Sequence, residues 1–264
     1  MHKVAPQLNS VQQAQVAEIA DRIRYSEHVV AMTGAGMSVE SGIPPFRGTG
    51  GLWTKHGTPP MDGYAQFKKD PTKWWSKRVN EEIDGHINEL RHALNKAEPH
   101  SGHYALAELA NGGDIDAVIT QNIDGLDEKV GIENLIEIHG NRQKLRCIEC
   151  NDRVSLGDFV PLFIPDPCKH CGGVVKFDTV MFGEPIPPDV MDAAKEEIER
   201  ADCVLAIGTS ATVRPASGLI WIAEAAGATI VEINPADTKI TDISAISLRA
   251  TAGAALTSLA AELN

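Results

Sequence analysis

The chain has no run long and apolar enough to span a bilayer, and its opening residues, MHKVAPQLNS, lack the charged-then-apolar layout of a secretory signal. No membrane association is expected, and the expected compartment is the cytoplasm. Positive charge is short as well: 24 Lys and Arg stand against 36 Asp and Glu, a formal net charge of −12. Nucleic-acid binders are usually basic, so direct nucleic-acid binding is not expected. The acidic balance reads as solubility before it reads as attraction for basic protein segments. Cysteine is scarce, five in 264 residues, and four of the five fall in two C-x2-C pairs. Internal repeats and low-complexity segments are absent. The length suits one large domain, or a large one with a small partner.

The remaining pattern alternates strands and helices. Residues 10–27 place Val11, Val16, Ala17, Ile19, Ala20 and Ile23 near helical spacing. Mainly apolar runs at 28–33, 116–122, 135–140, 203–210 and 228–235 read as strands covered on both faces. Helical stretches at 102–113, 187–201 and 215–227 lie between several of them. Such alternation predicts an α/β fold with a doubly wound parallel sheet. Two blocks interrupt it. One, 49–101, carries Trp53, Trp74 and Trp75; the other, 141–179, carries the cysteine pairs. The expected division is a nucleotide-type domain from residues 1–48, 102–140 and 180–264, and a small module from 49–101 and 141–179.

Cys147 and Cys150, and Cys168 and Cys171, form two knuckles separated by seventeen residues. Four thiolates at this spacing suit one tetrahedral Zn2+. Disulfides fit poorly in a chain without a secretory signal. Four thiolates leave no position for water, so the expected zinc is structural. His170, inside the second knuckle, reads as solvated, and Cys203, in DCVLAIG, as a buried strand thiol.

A further absence shapes the functional reading. GAGMSVESGIPPFRG (34–48) follows the strand-like HVVAMT, as a dinucleotide turn would, but the fingerprint G-x-G-x-x-G is incomplete: the third position is Val39. A nicotinamide-dependent dehydrogenase would rest on fold analogy alone. Five predicted strand ends nevertheless carry small, amide, hydroxyl or ionisable groups: Thr33-Gly34-Ala35-Gly36, then Gln121, Asn122 and Asp124, then His139, then Gly208-Thr209-Ser210, then Asn234. Turn chemistry explains any one of these and explains all five poorly. Gly34 and Gly36 are expected to bring backbone N–H groups to a pyrophosphate, Ser38 to add a hydroxyl, and Asn234 to hold a ribose hydroxyl. His139, sharing an edge with Asn122 and Asp124, has the side chain suited to a base near neutrality.

GAGMSVESGIPPFRGTGGLW, TQNIDGL, EIHGN, the two C-x2-C pairs, FGEPIP, GTSATVRP and EIN follow one another as they do in sirtuins. From about residue 15 to the C-terminus the chain closely resembles a bacterial or archaeal sirtuin. The resemblance implies a Rossmann-like NAD domain with a helical insertion and a zinc ribbon. It implies an NAD-dependent protein-lysine deacylase, most simply a deacetylase, acting on acyl-lysine proteins or peptides. NAD would be co-substrate, one structural zinc would be bound per chain, and the products would be free lysine, nicotinamide and 2′-O-acyl-ADP-ribose.

The resemblance also implies roles. His139 is the general base, and Asn122 orients the ribose and a catalytic water. Ile123 and Asp124 contact the nicotinamide amide, and Gln121 meets the ribose. Phe46 shields the reactive ribose and Arg47 helps hold the phosphates, both on the loop that closes over the cofactor. Gly34, Ala35, Gly36, Ser38, Gly208, Thr209, Ser210, Asn234 and Ala252 line the cofactor. Phe182, Gly183, Glu184 and Val213 belong to two loops that sandwich the peptide as an added strand. A protein ADP-ribosyltransferase using the same pocket, and a non-enzymatic NAD-sensing module, are the alternatives. The chain departs from many relatives in having Asp127 where they have histidine after QNIDGL, and in lacking their Arg-Pro within VVKFDTVMFGE. At the positions where succinyl-preferring sirtuins carry a Tyr-x-x-Arg pair it has Arg78 and Glu81, which implies a neutral acyl group.

Overall fold

The computed structural model of the chain describes residues 7–47, 50–80, 85–156 and 164–264. Gly48, at the end of the expected closing loop, and Glu81, at the expected acyl position, lie outside the described residues. The helices are α1 (Ser10–Arg24), α2 (Leu52–His56), α3 (Gly63–Lys69), α4 (Pro71–Val79), α5 (Gly85–Lys96), α6 (Ser101–Gly112), α7 (Leu126–Lys129), α8 (Pro188–Arg200), α9 (Gly218–Ala225) and α10 (Ala252–Leu263). The strands are β1 (Val29–Thr33), β2 (Ala117–Thr120), β3 (Leu135–Glu137), β4 (Lys144–Cys147), β5 (Arg153–Ser155), β6 (Val175–Phe177), β7 (Cys203–Ile207), β8 (Thr229–Ile233) and β9 (Ile246–Leu248).

The apolar runs of β1, β2 and β7 are buried at every position, because helices cover both faces of the sheet they build. Along β1 the pleat sends Val29 and Ala31 to one side and Val30 and Met32 to the other. The first side packs on Val16 and Ile19 of α1, Leu106 of α6 and Leu256 and Leu259 of α10. The second packs on Ile198 of α8 and Leu219 and Ile220 of α9. The result is three layers, helix on sheet on helix. α1 starts where it does because Asn9 and Gln12 cap each other's backbone N–H groups.

The sheet order is β3-β2-β1-β7-β8-β9, and every pairing is parallel. The chain runs outward from β1 through β2 to β3, then returns to lay β7 on the other side of β1. The carboxyl ends of β1 and β7 therefore flank a topological switch point, where open α/β sheets leave a crevice.

A second, antiparallel sheet has the order β5-β4-β6 and carries the first zinc knuckle at the end of β4. Helix α4 docks on it: the Trp75 indole N–H donates to the Val175 carbonyl at 2.9 Å, and its ring lies 5.0 Å from that of Phe177. Where the sequence lacks Arg-Pro, Lys176 is fully buried in β6, donating to the carbonyls of Phe177 and Thr179 at 2.8 Å each.

Candidate active site

The glycine turn closes against the end of β7, and this decides its chemistry. A Cβ on Gly34 would meet Thr209 Cα at 2.8 Å, and one on Gly36 would meet Gly208 Cα at 2.6 Å. Gly208 itself has φ +61 and faces the Met37 backbone nitrogen. Two backbones pass here with no room for side chains. The Gly34 N–H donates to the Ile207 carbonyl at 2.9 Å and the Gly36 N–H to the Gly208 carbonyl at 2.8 Å. This corrects the expectation that those two N–H groups point at a pyrophosphate: they stitch the switch point together. Ala35, between them, stays half-exposed.

Around this seam the predicted polar side chains converge. Buried Asn122 donates through Nδ2 to the Gly34 carbonyl at 3.0 Å and to Ser38 Oγ at 3.2 Å. The Ser38 hydroxyl donates to Asp124 at 2.7 Å, and the other oxygen of Asp124 accepts the Leu126 N–H at 2.9 Å. Burial raises the Asp124 carboxyl above its ordinary range, while these two hydrogen bonds pull the other way. Gln121 donates to Thr209 Oγ1 at 2.9 Å, and Asn234 donates to the Thr209 carbonyl at 3.3 Å. Thr209 thus ties the ends of β2, β7 and β8 together. Ile123 is half-exposed beside Asn122.

His139 follows β3, with Nδ1 3.0 Å from the Gln121 carbonyl. A carbonyl only accepts, so Nδ1 carries the proton and Nε2 is the basic nitrogen of the neutral ring. Burial holds the imidazole below its ordinary pKa, and the Gln121 carbonyl partly opposes this. The histidine's own carbonyl accepts the Val180 N–H at 2.8 Å. Next to it Gly140 has φ +73, and a Cβ there would lie 2.1 Å from the Asp178 carbonyl oxygen.

Above the turn, Phe46 lies 5.2 Å from the Trp53 ring, and Trp53 lies 5.6 Å from Phe182. The Arg47 guanidinium sits 4.3 Å over Trp53 and donates to Thr212 Oγ1 at 2.9 Å. Thr212 in turn shares a 2.9 Å hydrogen bond with Ser210. Arg47 therefore rests on the 208–213 loop. Ala252 is buried as the first residue of α10, whose start is held by Thr251 and by the Glu40 carboxylate accepting the Gly253 N–H at 2.7 Å.

The peptide-loop residues divide. Val213 is half-buried, and the Phe182 carbonyl already accepts the Tyr64 N–H at 3.0 Å. Glu184 departs from expectation. Its side chain is 2% exposed, because it pairs with Lys176 Nζ at 3.1 Å and Arg146 Nη2 at 2.5 Å and accepts the Met181 N–H at 2.8 Å. It fixes the loop from within and presents no carboxylate to a peptide.

The four zinc-site sulfurs lie within 4.8 Å of one another, with Cys147 and Cys171 3.5 Å apart and Cys150 and Cys168 3.7 Å apart. Tetrahedral Zn–S bonds of about 2.3 Å require sulfurs about 3.8 Å apart, so the cage fits the ion. A Cβ on Gly173 would lie 2.3 Å from Glu149 Oε2 and 3.0 Å from the Cys147 sulfur, so the knuckle is tight there. His170 is exposed and outside the cluster. Cys203 is buried, its thiol pushed up to about 11, as an inert packing residue.

Sequence reasoning missed the Thr33–Thr120 hydroxyl pair at 2.7 Å, the Trp53 platform and the Arg146–Lys176 cations. The threonines had a signal: each ends a strand immediately before a motif, and the two are in register.

The comparisons with known proteins agree with this geometry. The Sir2 family model matches residues 34–215. The NAD-dependent protein deacylase 1 of Archaeoglobus fulgidus is 40% identical over 88% of this chain and 91% of its own. A triple mutant of a Sir2 homologue, solved with 2′-O-acetyl ADP-ribose, superposes with a TM-score of 0.76 at 39% identity, covering 93% of this chain and 95% of that one. A Sir2 complex with a p53 peptide and NAD+ gives 0.69 at 29% identity over 89% and 93%. With the switch-point seam, the strand-end histidine and the four-cysteine cage all in place, the chain belongs to the Sir2 family.

Proposed function

We propose that the protein is an NAD-dependent protein-lysine deacylase, with deacetylation its principal reaction. The observation that carries this reading is the His139 ring, whose Nδ1–H is committed to a carbonyl and whose burial keeps Nε2 unprotonated near neutrality. Relatives named as deacylases, and homologues solved with NAD+, a peptide and an acetylated ADP-ribose, support it.

NAD supplies a ribose carbon that an acyl oxygen can attack and a nicotinamide that can leave. In this reading Asn122, held by Gly34 and Ser38, orients the ribose, and Asp124 and Ile123 receive the nicotinamide amide. His139 takes the proton of a ribose hydroxyl at Nε2. Phe46 closes the reacting face against water, and Arg47 swings from Thr212 to the phosphates. Gln121, Thr209, Ser210, Asn234 and Ala252 line the remainder. A peptide adds as a strand between the 182–184 and 208–213 loops, with Phe182, Gly183 and Val213 as its neighbours and Glu184 as the brace beneath. Cys147, Cys150, Cys168 and Cys171 hold one zinc, which cross-links the ribbon and takes no part in the chemistry. The two separate sheets support the two-part division given above, and the thiolate cage suits a reducing cytoplasm.

Incubation with an acetyl-lysine peptide and NAD tests the proposal. Mass spectrometry is expected to show loss of the acetyl group, with peptide-dependent nicotinamide release. Gain of ADP-ribose by the peptide, or no nicotinamide release, would overturn it.

A further inference from the structure

The ring of His100 joins two parts of the fold that the mechanism above leaves unconnected. His100 is the residue before α6, and its Nδ1 accepts the Gly102 N–H at 3.0 Å, capping that helix. Its Nε2 lies 2.7 Å from the Met37 carbonyl, in the 3-10 turn Ala35–Ser41 that follows β1. A backbone N–H only donates and a carbonyl only accepts, so Nδ1 is bare and Nε2 carries the proton. Both nitrogens are thereby used, one on the helix and the other on the turn. We infer that His100 is a further positioning residue of the NAD site, holding the cofactor turn at Met37 to the start of α6. The inference rests on the NAD-dependent reading of the site.

The surroundings are shaped to that ring. It stands edge-on to the ring of buried His103, with centroids 4.4 Å apart, and His103 Nδ1 accepts the His100 N–H at 3.3 Å. Gly102 is the second residue of α6, although glycine is a poor helix former. A Cβ there would lie 2.7 Å from His100 Cε1 and 2.9 Å from Gly253 Cα, so the ring and the start of α10 leave no room for a side chain. Met37 is the point of leverage. Its carbonyl and the Ser38 N–H belong to one planar peptide unit, so a fixed carbonyl fixes where Ser38 begins. Ser38 donates to Asp124 at 2.7 Å and accepts from Asn122 at 3.2 Å. Three residues after Met37, Glu40 accepts the Gly253 N–H at 2.7 Å and the Thr251 hydroxyl at 3.1 Å. The turn is thus tied to α6 at one point and to α10 at another, and the tie to α6 is the one adjoining Ser38.

The two nitrogens can be removed separately. Asparagine places its amide where Nδ1 stands, and glutamine places its amide where Nε2 stands. His100→Asn therefore keeps the cap and loses the Met37 bond, while His100→Gln keeps the bond and weakens the cap. The measurements are melting temperature, NAD affinity by titration calorimetry, and steady-state kcat with KM for NAD and for acetyl-peptide. His100→Asn is expected to melt within about 2 °C of the parent and to bind NAD about threefold to tenfold more weakly, with NAD KM rising to match and peptide KM unchanged. His100→Gln is expected to melt about 2–4 °C lower, through loss of one cap, with NAD affinity within about twofold of the parent. His100→Ala should show both losses. If His100→Asn binds NAD as the parent does, or His100→Gln weakens NAD binding as much as His100→Asn, the inference is wrong. A wild type that neither binds nor consumes NAD would instead defeat the underlying reading.

Discussion

Replacing Glu184 by alanine removes the carboxylate on which Lys176 and Arg146 converge. All three side chains are at most 4% exposed, so no water replaces it. Breaking a buried ion pair from one side costs about 3–5 kcal/mol, because the surviving charges stay buried. Arg146 keeps Asp178 at 2.8 Å, and Lys176, whose pKa burial already pushes down to about 8, can shed its proton. Both limit the damage and favour the lower end, about 3 kcal/mol. Losing the acceptor of the Met181 N–H adds about 1 kcal/mol. For a chain of this size each kcal/mol moves the melting temperature by about 2–4 °C, so a fall of about 8–16 °C is expected. The assay is thermal unfolding of the zinc-loaded protein, with KM measured separately for acyl-peptide and NAD. Peptide KM should rise more than NAD KM, since Met181 and Phe182 lose their brace while the β1–β7 seam is untouched. Glu184→Gln, which keeps the acceptor without the charge, should fall between. A melting point within about 2 °C of the parent, or equal changes in both KM values, would refute the buried-brace account.

His139→Ala is expected to lower deacylation by about 10²–10⁴-fold with fold and NAD binding retained, and activity within a few-fold of wild type would exclude the base assignment. Because burial depresses the His139 pKa, the base stays neutral below the ordinary histidine range, so the acid limb of kcat/KM should lie below about pH 6.5; a limb above that value counts against it. Metal analysis should find one zinc per chain, and chelation or Cys147→Ala should unfold the ribbon and lower activity; metal-free protein that keeps its stability and turnover would dismiss a structural zinc. Acetyl or a longer neutral acyl chain should be preferred to succinyl on one peptide. The Arg78 guanidinium is stacked 3.9 Å over Trp74, where burial pushes its pKa down to about 10 but leaves it charged. A clear succinyl preference would show that this cation reaches the acyl group.

The sequence made the main sheet readable because strands covered on both faces must be mainly apolar, as β1, β2, β7 and β8 are, with Glu232 of β8 buried only as the partner of Arg249. The exceptions are instructive. β9 is three residues of mixed character on the sheet edge, and β4, β5 and β6 are only three or four residues long, with buried charged residues at Arg146 and Lys176, so none has a period to read. α10 was legible in retrospect from its Thr251 cap and the spacing of Ala255, Leu256 and Leu259. At the strand ends, the gathering of polar residues at one edge was legible while their orientations were not. Gly34 and Gly36 signalled a close approach, but only the tertiary pairing identifies the approaching group as the β7 backbone. Glu184 sits in a loop motif, yet its side chain turns inward because Arg146 and Lys176 arrive from a different sheet.

That inward turn connects two features the sequence presents as unrelated, the zinc knuckles and the histidine. Cys147 ends β4, and Arg146 beside it binds both Asp178 and Glu184. The Asp178 carbonyl packs against Gly140, at a distance only glycine permits, and Val180 hydrogen-bonds the His139 carbonyl. Arg146, Asp178 and Gly140 are buried, and His139 and Val180 are half-buried. Packing and charge pairing thus run without a break from the ribbon to the histidine. A metal without an open coordination position can in this way be indispensable to the chemistry, because the strand that ends in its first ligand also anchors the segment holding His139 against Gln121.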